Sequence, residues 1–246
     1  MIIGSDILYF NSLTSTNTAA SEMLTEKKPE EGTVIRAGFQ TAGKGQRGKS
    51  WESEKDSNLL FSIILYPSSL GPAEQFLLSM SISLGISDFL ENHISRPYIK
   101  WPNDIYAGGK KIAGILIENS IMDGMIEYSV AGIGVNINQQ NFSSGIPAAV
   151  SLAVISAKEY DTDSCFLQLL QFLDARYRQL LYGDREAIRN EYFSNLYRAG
   201  EWHSYVSDGK VFRGAIRGVS PSGILTVEKE ANEYCRFAFK EIQYVH

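Results

Sequence analysis

The chain has 246 residues, of which 44% are hydrophobic and 21% charged, and a formal net charge of −5. This fits one large folded domain, or a main domain with a smaller one, and argues against wholesale binding to nucleic acid or an anionic membrane. We expect no signal peptide, because the start "MIIGSDILYF" lacks a basic n-region and a long apolar core, and no apolar run approaches the roughly 18 residues of a membrane span. Cys165 and Cys235 form no metal or redox spacing. We therefore expect reduced thiols and a cytoplasmic location.

The first hundred residues predict helices and strands in turn. Capping residues followed by helically spaced apolar residues predict a helix over about 17–27, before Pro29. The segment "GTVIRAGFQ" predicts a strand, and the continuous apolar run of "NLLFSIILYP" predicts a strand buried on both faces. Pro72 opens "GPAEQFLLSMSISLGISDFLEN", which predicts a long buried helix.

A meander, a helical region and a small β unit are predicted next. The segments "YIKWPNDIYA", "KIAGILIEN" and "MIEYSVAGIGVNIN" predict three strands joined by the tight turns "GGK" and "MDG". Residues from about 147 to 198 are predicted to be helical with a break at "YGD". After about Gly200, three short alternating strands predict a small β-barrel. The expected fold class is α+β, with a mixed or antiparallel main sheet.

The segment "GKGQRGKS", residues 43–50, matches both the Walker A loop and the dinucleotide fingerprint. Both patterns require a helix directly after the loop, because its N-terminus supplies part of the phosphate site. Here "WESEKDSN" and a predicted strand follow, so neither interpretation holds. What remains is a glycine-rich anion loop with Lys44, Arg47, Lys49 and a neighbouring Trp51 that can stack on a base. A solvated basic connection between strands is the alternative.

Two further segments combine polar groups with apolar strands. In "IKWPND", Asn103 and Asp104 present polar groups at a bend, or form an ordinary turn. In "GKKIAGILIEN", strict alternation puts Lys111 on the face of Ala113, Ile115 and Ile117, with Gly114, Leu116 and Glu118 on the other face. An ammonium on that apolar face must meet an anion or extend to water.

The segment "AGIGVNIN" places glycines inside a predicted strand. Gly132 and Gly134 indicate close approach of a ligand or of another backbone, with packing against a helix as the alternative. Asn136 and Asn138 are expected on the same face.

Five segments in this order resemble the catalytic domain of biotin protein ligases, whose fold is shared with lipoate ligases. They are "STN" at 15–17, "QTAGKGQRGKSW" at 40–51, "KWPND" at 100–104, "KKIAGIL" at 110–116 and "GIGVN" at 132–136. The resemblance implies a catalytic domain over 1–199, with a mixed sheet flanked by helices, and an SH3-like β domain over 200–246. It also implies a monofunctional ligase without the N-terminal DNA-binding domain of some members.

The resemblance implies a reaction in two steps. Biotin and MgATP give biotinyl-5′-AMP and pyrophosphate, and the biotinyl group then passes to a lysine of the biotin carboxyl carrier domain of a carboxylase. Neither nucleic acid nor a membrane is an expected partner, and a homodimer formed through a sheet edge, as in some members, stays open. A lipoate or octanoyl ligase or transferase of the same fold is the alternative. A non-catalytic nucleotide-binding module is a more distant one.

The resemblance also implies roles for individual residues. Lys111 and Arg47 are the expected catalytic residues, and Asp104 is the expected contact of the Mg²⁺ that ATP carries. The residues expected to bind biotin are Ser15, Thr16, Asn17, Gln40, Gly43, Lys44, Gly45, Gln46, Lys111 and Gly114. Those expected to bind ATP or the adenylate are Arg47, Gly48, Lys49, Trp51, Lys100, Asn103, Asp104, Lys111 and Asn136.

The loop reads G-K-G-Q-R-G-K, whereas a common family form is G-R-G-R-x-G-R, and one of the departures matters for charge. Gln46 stands where an arginine is frequent, so it keeps hydrogen bonding and loses a charge. Either Arg47 supplies that charge or the intermediate is held less tightly. The loop is expected to close over the adenylate and exclude water. Whether the terminal barrel supports ATP binding or acceptor docking is left open.

Overall fold

The computed structural model describes residues 1–143 and 149–245, except for the side chains of Arg47 and Ala231. A mixed seven-stranded sheet flanked by helices is followed by a five-stranded antiparallel sheet near the C-terminal end. The predicted α+β fold class is confirmed. No helix in the described ranges has both the length and the apolar character that crossing a membrane requires.

The large sheet has the strand order β1-β2-β3-β7-β6-β5-β4. Its strands are β1 (Ile7–Phe10), β2 (Val34–Ala37), β3 (Asn58–Leu65), β4 (Tyr98–Lys100), β5 (Asp104–Ala107), β6 (Lys110–Met122) and β7 (Met125–Asn136). Strands β1 and β2 are parallel, and the other neighbours are antiparallel. Every residue of β3 is buried, as its continuous apolar run predicted.

Helices cover both faces of the large sheet. They are α1 (Thr16–Glu26), α2 (Phe76–Glu91), α3 (Leu152–Ser156), α4 (Thr162–Tyr182) and α5 (Arg185–Ser194). The main core joins α2 and α4 to alternate residues of β3, such as Phe61, which contacts Phe166 edge to face at 5.3 Å. On the opposite face, a small cluster formed by Ala20, Ile64 and Val130 holds α1 against the sheet. This second face is the one that carries the candidate site.

The five-stranded sheet has the order β11-β10-β9-β8-β12. Its strands are β8 (Trp202–Ser207), β9 (Lys210–Val219), β10 (Leu225–Lys229), β11 (Glu233–Phe237) and β12 (Gln243–Tyr244). It docks on the rest of the chain where the buried Trp101 Nε1 donates to Gly223 O at 3.0 Å and Phe76 N donates to Pro221 O at 3.0 Å. The division of the chain into 1–199 and 200–246 remains a prediction.

Several predicted elements need correction. The sequence pattern predicted neither β1 nor β8 nor β12, because these strands are short or lack a clean alternation. The segment "YIKWPNDIYA" forms two strands, β4 and β5, joined by a turn at Trp101–Asn103. The predicted break at "YGD" is confirmed, since Asp184 caps α5. A second break separates α3 from α4, where the Asp161 side chain accepts a hydrogen bond from Ser164 N at 2.7 Å. The predicted helical start at 147–148 lies outside the described residues.

Candidate active site

The floor of the site is the face of the large sheet that carries α1. Two neighbouring rows of paired residues cross β3, β7 and β6 on this face, and three of their six positions are glycines. The rows are Ser62–Gly132–Leu116 and Leu60–Gly134–Gly114. Because glycine has no side chain, other segments can approach the sheet backbone here.

Two side chains occupy the space that these glycines leave. A Cβ atom at Gly134 would lie 2.5 Å from the Trp51 indole, and one at Gly114 would lie 2.8 Å from it. A Cβ atom at Gly132 would overlap the side-chain amide of Asn17 at the start of α1. Gly132 therefore packs against a helix, the alternative interpretation, whereas Gly114 and Gly134 admit an aromatic ring.

Beside Gly132, five polar side chains form a hydrogen-bonded network. Thr16 N donates to Gln40 Oε1 at 2.7 Å, and Ser62 Oγ lies 2.7 Å from Thr16 Oγ1 and 2.6 Å from Asn17 Oδ1. Asn17 Nδ2 donates to Glu118 Oε2 at 2.6 Å. Thr16, Asn17 and Ser62 are buried, and Glu118 is exposed at the outer edge. The network makes this end of the site polar and fixes its side chains in place.

Lys111 lies on the site face because β6 contains a bulge. Ile105 pairs with Ala113 and Tyr106 with Lys111, so one residue of β6 is extra at this point. The Lys111 ammonium then lies 3.0 Å from the Cβ position of Gly114. The predicted alternation, with Lys111 on the face of Ala113, is wrong, since a one-residue bulge reverses the face of a strand.

The Lys111 ammonium has two close neighbours. It pairs with Asp104 Oδ1 at 2.6 Å and lies 5.3 Å from the centroid of the Trp51 ring. Lys111 Nζ is thus already beside a carboxylate and an aromatic face, and an incoming anion would compete with Asp104 for it. The two predicted arrangements concerned the Ala113 face, whereas on the site face the charge of Lys111 is met by the carboxylate of Asp104.

Lys100 is held between two aromatic rings. Its Nζ lies 4.5 Å from the Tyr106 ring centroid and 5.0 Å from that of Tyr244. Burial lowers the pKa of Lys100, opposed by the nearby charge of Asp104. Burial, with a smaller contribution from Asp104, raises the pKa of Tyr106 to about 12. Since Tyr244 belongs to β12, the small sheet supplies part of the site.

These groups line two connected cavities. The narrow compartment, of about 50 Å³, lies at the start of α1, and the wide compartment, of about 630 Å³, lies between the large sheet and the β12 segment. Five residues belong to both walls: Gly45, Gln46, Trp51, Asn103 and Lys111. Among the other predicted residues, the narrow compartment has Ser15, Thr16, Asn17, Gln40, Lys44 and Gly114. The wide compartment has Lys49, Lys100, Asp104 and Asn136.

The glycine-rich loop closes on itself as a small hairpin above the sheet. Gly45 N donates to Lys49 O at 2.6 Å, and Trp51 N donates to Gly43 O at 2.8 Å. Gly43 shapes this loop and does not line either cavity, whereas Gly48 adopts a φ of +80° and faces open space. The Arg47 side chain lies outside the described part of the chain, so its relation to Gln46 stays a prediction.

Sequence reasoning missed several residues of the site. Lys240, Gln243 and Tyr244 line the wide compartment from the C-terminal sheet, and no motif marked them. Ser62 lies inside a buried strand and carries no signal of its own. Glu118 did carry a sequence signal, because strand alternation groups it with Gly114 and Leu116 on the site face.

A metal cage is not among the features of the site. Residues 1–143 and 149–245 contain no group of three or more His, Cys, Asp or Glu side chains able to hold a metal ion. Asp104 is a single carboxylate between two lysines, which suits a hard cation that arrives with phosphate and water ligands of its own. The site as a whole can hold an elongated ligand and stabilise negative charge near its middle.

Comparisons with known proteins agree with this geometry. A sequence model of the Biotin/lipoate A/B protein ligase family matches residues 9–136. The Bifunctional ligase/repressor BirA of Bacillus subtilis is 28% identical over 233 residues, covering 92% of this chain and 70% of that protein. The Biotin--[acetyl-CoA-carboxylase] ligase of Paracoccus denitrificans is 30% identical over 206 residues, covering 80% of this chain and 84% of that protein.

A solved structure shows the same fold. The biotin protein ligase from Aquifex aeolicus in complex with biotin and ATP superposes with a TM-score of 0.81 at 24% identity, covering 98% of this chain and 100% of that one. The family model spans more than half of the chain, and the Paracoccus relative is matched along most of its length. The chain belongs to the biotin/lipoate A/B protein ligase family.

Proposed function

We propose that the chain is an ATP-dependent ligase that activates biotin as biotinyl-5′-AMP and transfers the biotinyl group to a lysine of a biotin carboxyl carrier domain. The observation that carries the proposal is the position of Lys111, in the wall shared by the two compartments and 2.6 Å from Asp104. A group at this junction can reach both the carboxylate of an acid in one compartment and the phosphate of a nucleotide in the other.

The narrow compartment suits the head of biotin. The ureido group needs donors and acceptors, and the network around Thr16 and Gln40 offers both. The thiophane ring and the methylene chain of biotin are apolar, and the glycine floor with Leu116 provides an apolar wall for them. At about 50 Å³ the compartment is smaller than a bicyclic acid, so biotin enters only when the Trp51 indole moves off Gly114 and Gly134.

The wide compartment suits ATP. Lys49, Lys100 and Lys111 place three ammonium groups along its wall, and Asn136 adds a neutral hydrogen-bonding group. Asp104 is the proposed contact for Mg²⁺, which when bound to ATP supplies further neutralisation of the phosphate charge. A cation held by Asp104 would also release Lys111 from its ion pair.

The chemistry of activation needs charge stabilisation more than proton transfer. A carboxylate already has its nucleophilic oxygen, so attack on the α-phosphate is limited by bringing two anions together. Lys111 stabilises the charge that accumulates between them. In the second step the same ammonium stabilises the oxyanion formed as the carrier amine attacks the mixed anhydride and AMP leaves.

The surroundings of the site fit an acidic protein acceptor. Lys44 and Lys49 line the two compartments and are exposed, although the chain is acidic overall. Cys165 and Cys235 are free thiols, which fits the proposed cytoplasmic setting.

The proposal is tested by pyrophosphate release from ATP with biotin, lipoate or octanoate as the acid. We expect release with biotin, and label transfer from biotin to a carrier domain. Release with lipoate or octanoate alone would assign the site to another acid, and no release with any acid would remove the ligase assignment.

A further inference from the structure

We propose that Ser62 and Glu118 are positioning residues that set the hydrogen-bond polarity of the narrow compartment, so that it selects a ureido-type head over an apolar acid. The inference rests on the proposed function and deepens it. Neither residue belongs to the motifs that carry the family resemblance around biotin.

The relay starts at Glu118. A carboxylate only accepts hydrogen bonds, so the group of Asn17 that lies 2.6 Å from Glu118 Oε2 must be its NH₂. The same NH₂ donates to Leu116 O at 3.3 Å, which uses its second hydrogen. Both amide hydrogens of Asn17 are therefore directed to protein groups, and Asn17 Oδ1 is turned toward β3.

Ser62 passes this orientation on. Its Oγ lies 2.6 Å from Asn17 Oδ1, which only accepts, so the single hydroxyl hydrogen of Ser62 points to Asn17. Thr16 Oγ1, 2.7 Å from Ser62 Oγ, must then donate to Ser62. Its single hydrogen takes this shorter contact over Gln40 Oε1, which lies 3.1 Å from Thr16 Oγ1 and already accepts from Thr16 N at 2.7 Å. Ser62 is fully buried, so no water can take over either bond.

The result is one defined pattern at the end of the compartment. Thr16 Oγ1 has given its hydrogen to Ser62 and keeps a lone pair to accept an N–H. Gln40 Oε1 accepts from Thr16 N at 2.7 Å, so Gln40 Nε2 remains as a donor to a carbonyl oxygen. An acceptor beside a donor matches an N–H and the C=O of a cyclic urea. An apolar dithiolane ring or an alkyl end would leave both groups unpaired, which is costly in a buried site.

The test measures binding of biotin, desthiobiotin and lipoate to the full chain by isothermal titration calorimetry. Desthiobiotin keeps the urea and lacks the thiophane ring, so it isolates recognition of the urea. The variants are Ser62→Ala, Glu118→Ala and Glu118→Gln, of which only the last keeps an oxygen acceptor for Asn17. KM for biotin and kcat of pyrophosphate release are measured in parallel.

Two matched controls separate positioning from general loss of stability. Ser81→Ala removes another fully buried serine hydroxyl, one that donates to Arg176 O at 2.8 Å on the far side of the sheet. Glu127→Ala removes an exposed glutamate of β7 that accepts from Ser120 Oγ at 3.0 Å. Their melting temperatures, compared with those of Ser62→Ala and Glu118→Ala, show how much stability each deletion costs.

We expect Ser62→Ala and Glu118→Ala to weaken the binding of biotin and desthiobiotin at least tenfold and to bring the affinities for biotin and lipoate closer together. Both variants should raise KM for biotin by a larger factor than they lower kcat. Glu118→Gln should recover most of the affinity, and both controls should bind as the wild type does. Unchanged biotin affinity, or equal losses of affinity for biotin and lipoate, would overturn this positioning role and leave the proposed function standing. A wild type that binds lipoate and not biotin would overturn the proposed function with it.

Discussion

Replacing Lys111 with alanine should separate catalysis from folding. The variant removes the ammonium at the junction of the two compartments and the ion pair with Asp104 at 2.6 Å. The two side chains are 24% and 27% exposed, so solvent screens the pair, and the loss in folding free energy should be about 1 kcal/mol or less.

The expected effect on the reaction is much larger. Removing one group that stabilises charge in a transition state typically costs about 3–4 kcal/mol, or roughly 10²- to 10³-fold in rate. Because Lys111 is the proposed charge stabiliser in both steps, both should slow by this order. Lys111→Arg keeps the charge but has a planar fork in place of a point charge, so it should restore only part of the rate.

The assay measures the two steps apart. Pyrophosphate release from ATP and biotin reports activation, and label transfer from preformed biotinyl-5′-AMP to a carrier domain reports the second step. Lys110→Ala is the matched control, since Lys110 is the exposed neighbour on the same strand. Wild-type rates in either step of Lys111→Ala, or equal losses in Lys110→Ala, would refute the role assigned to Lys111.

Three further changes have defined outcomes. Gly134→Ala puts a Cβ atom 2.5 Å from the Trp51 ring, so overpacking should lower the free energy of unfolding by about 1–3 kcal/mol and shift the tryptophan fluorescence. An unchanged fluorescence spectrum and melting temperature would contradict the packing of Trp51 on Gly134. Gln46→Arg adds a cation where the resemblance indicates a frequent arginine, so it should slow release of the adenylate in a filter-binding chase. Unchanged or faster release would remove Gln46 from the direct contacts. Burial lowers the pKa of Lys100, so above that pKa the unfolded chain binds a proton that the folded chain has lost. In urea titrations, the free energy of unfolding of the wild type should therefore rise relative to that of Lys100→Met as pH increases toward 10.5, the ordinary pKa of lysine. A difference between the two that does not change with pH would argue against this burial.

Local patterns predicted the elements that are long and strongly periodic. Strand β3 is buried on both faces because α2 and α4 cover one face and α1 covers the other. Its continuous apolar sequence indicates this burial on both faces. Helix α2 is buried on nearly all sides, which its sequence also shows. The site motifs were found for a different reason, since glycines and lysines at unusual positions mark close approach and charge.

What the sequence did not contain was the pairing of distant segments. The bulge in β6 turns Lys111 toward Gly114, and no residue type announces it. Ser62 enters the network only because β3 lies beside β7, and Tyr244 reaches Lys100 only through the fold of the terminal sheet. Such contacts join residues far apart in the chain, so their chemistry becomes visible only once the strands are in register.

The central claim is that one elongated site holds the acid and the nucleotide on either side of Lys111. A crystal structure with a non-hydrolysable biotinyl-adenylate, its phosphate replaced by a sulfamoyl group, tests this most directly. We predict the urea between Thr16 and Gln40, the adenosine in the wide compartment, the Trp51 indole moved off Gly134, and the Lys111 ammonium against the acyl–sulfamoyl linkage. A ligand whose urea lies in the wide compartment, or whose linkage lies away from Lys111, would contradict the account.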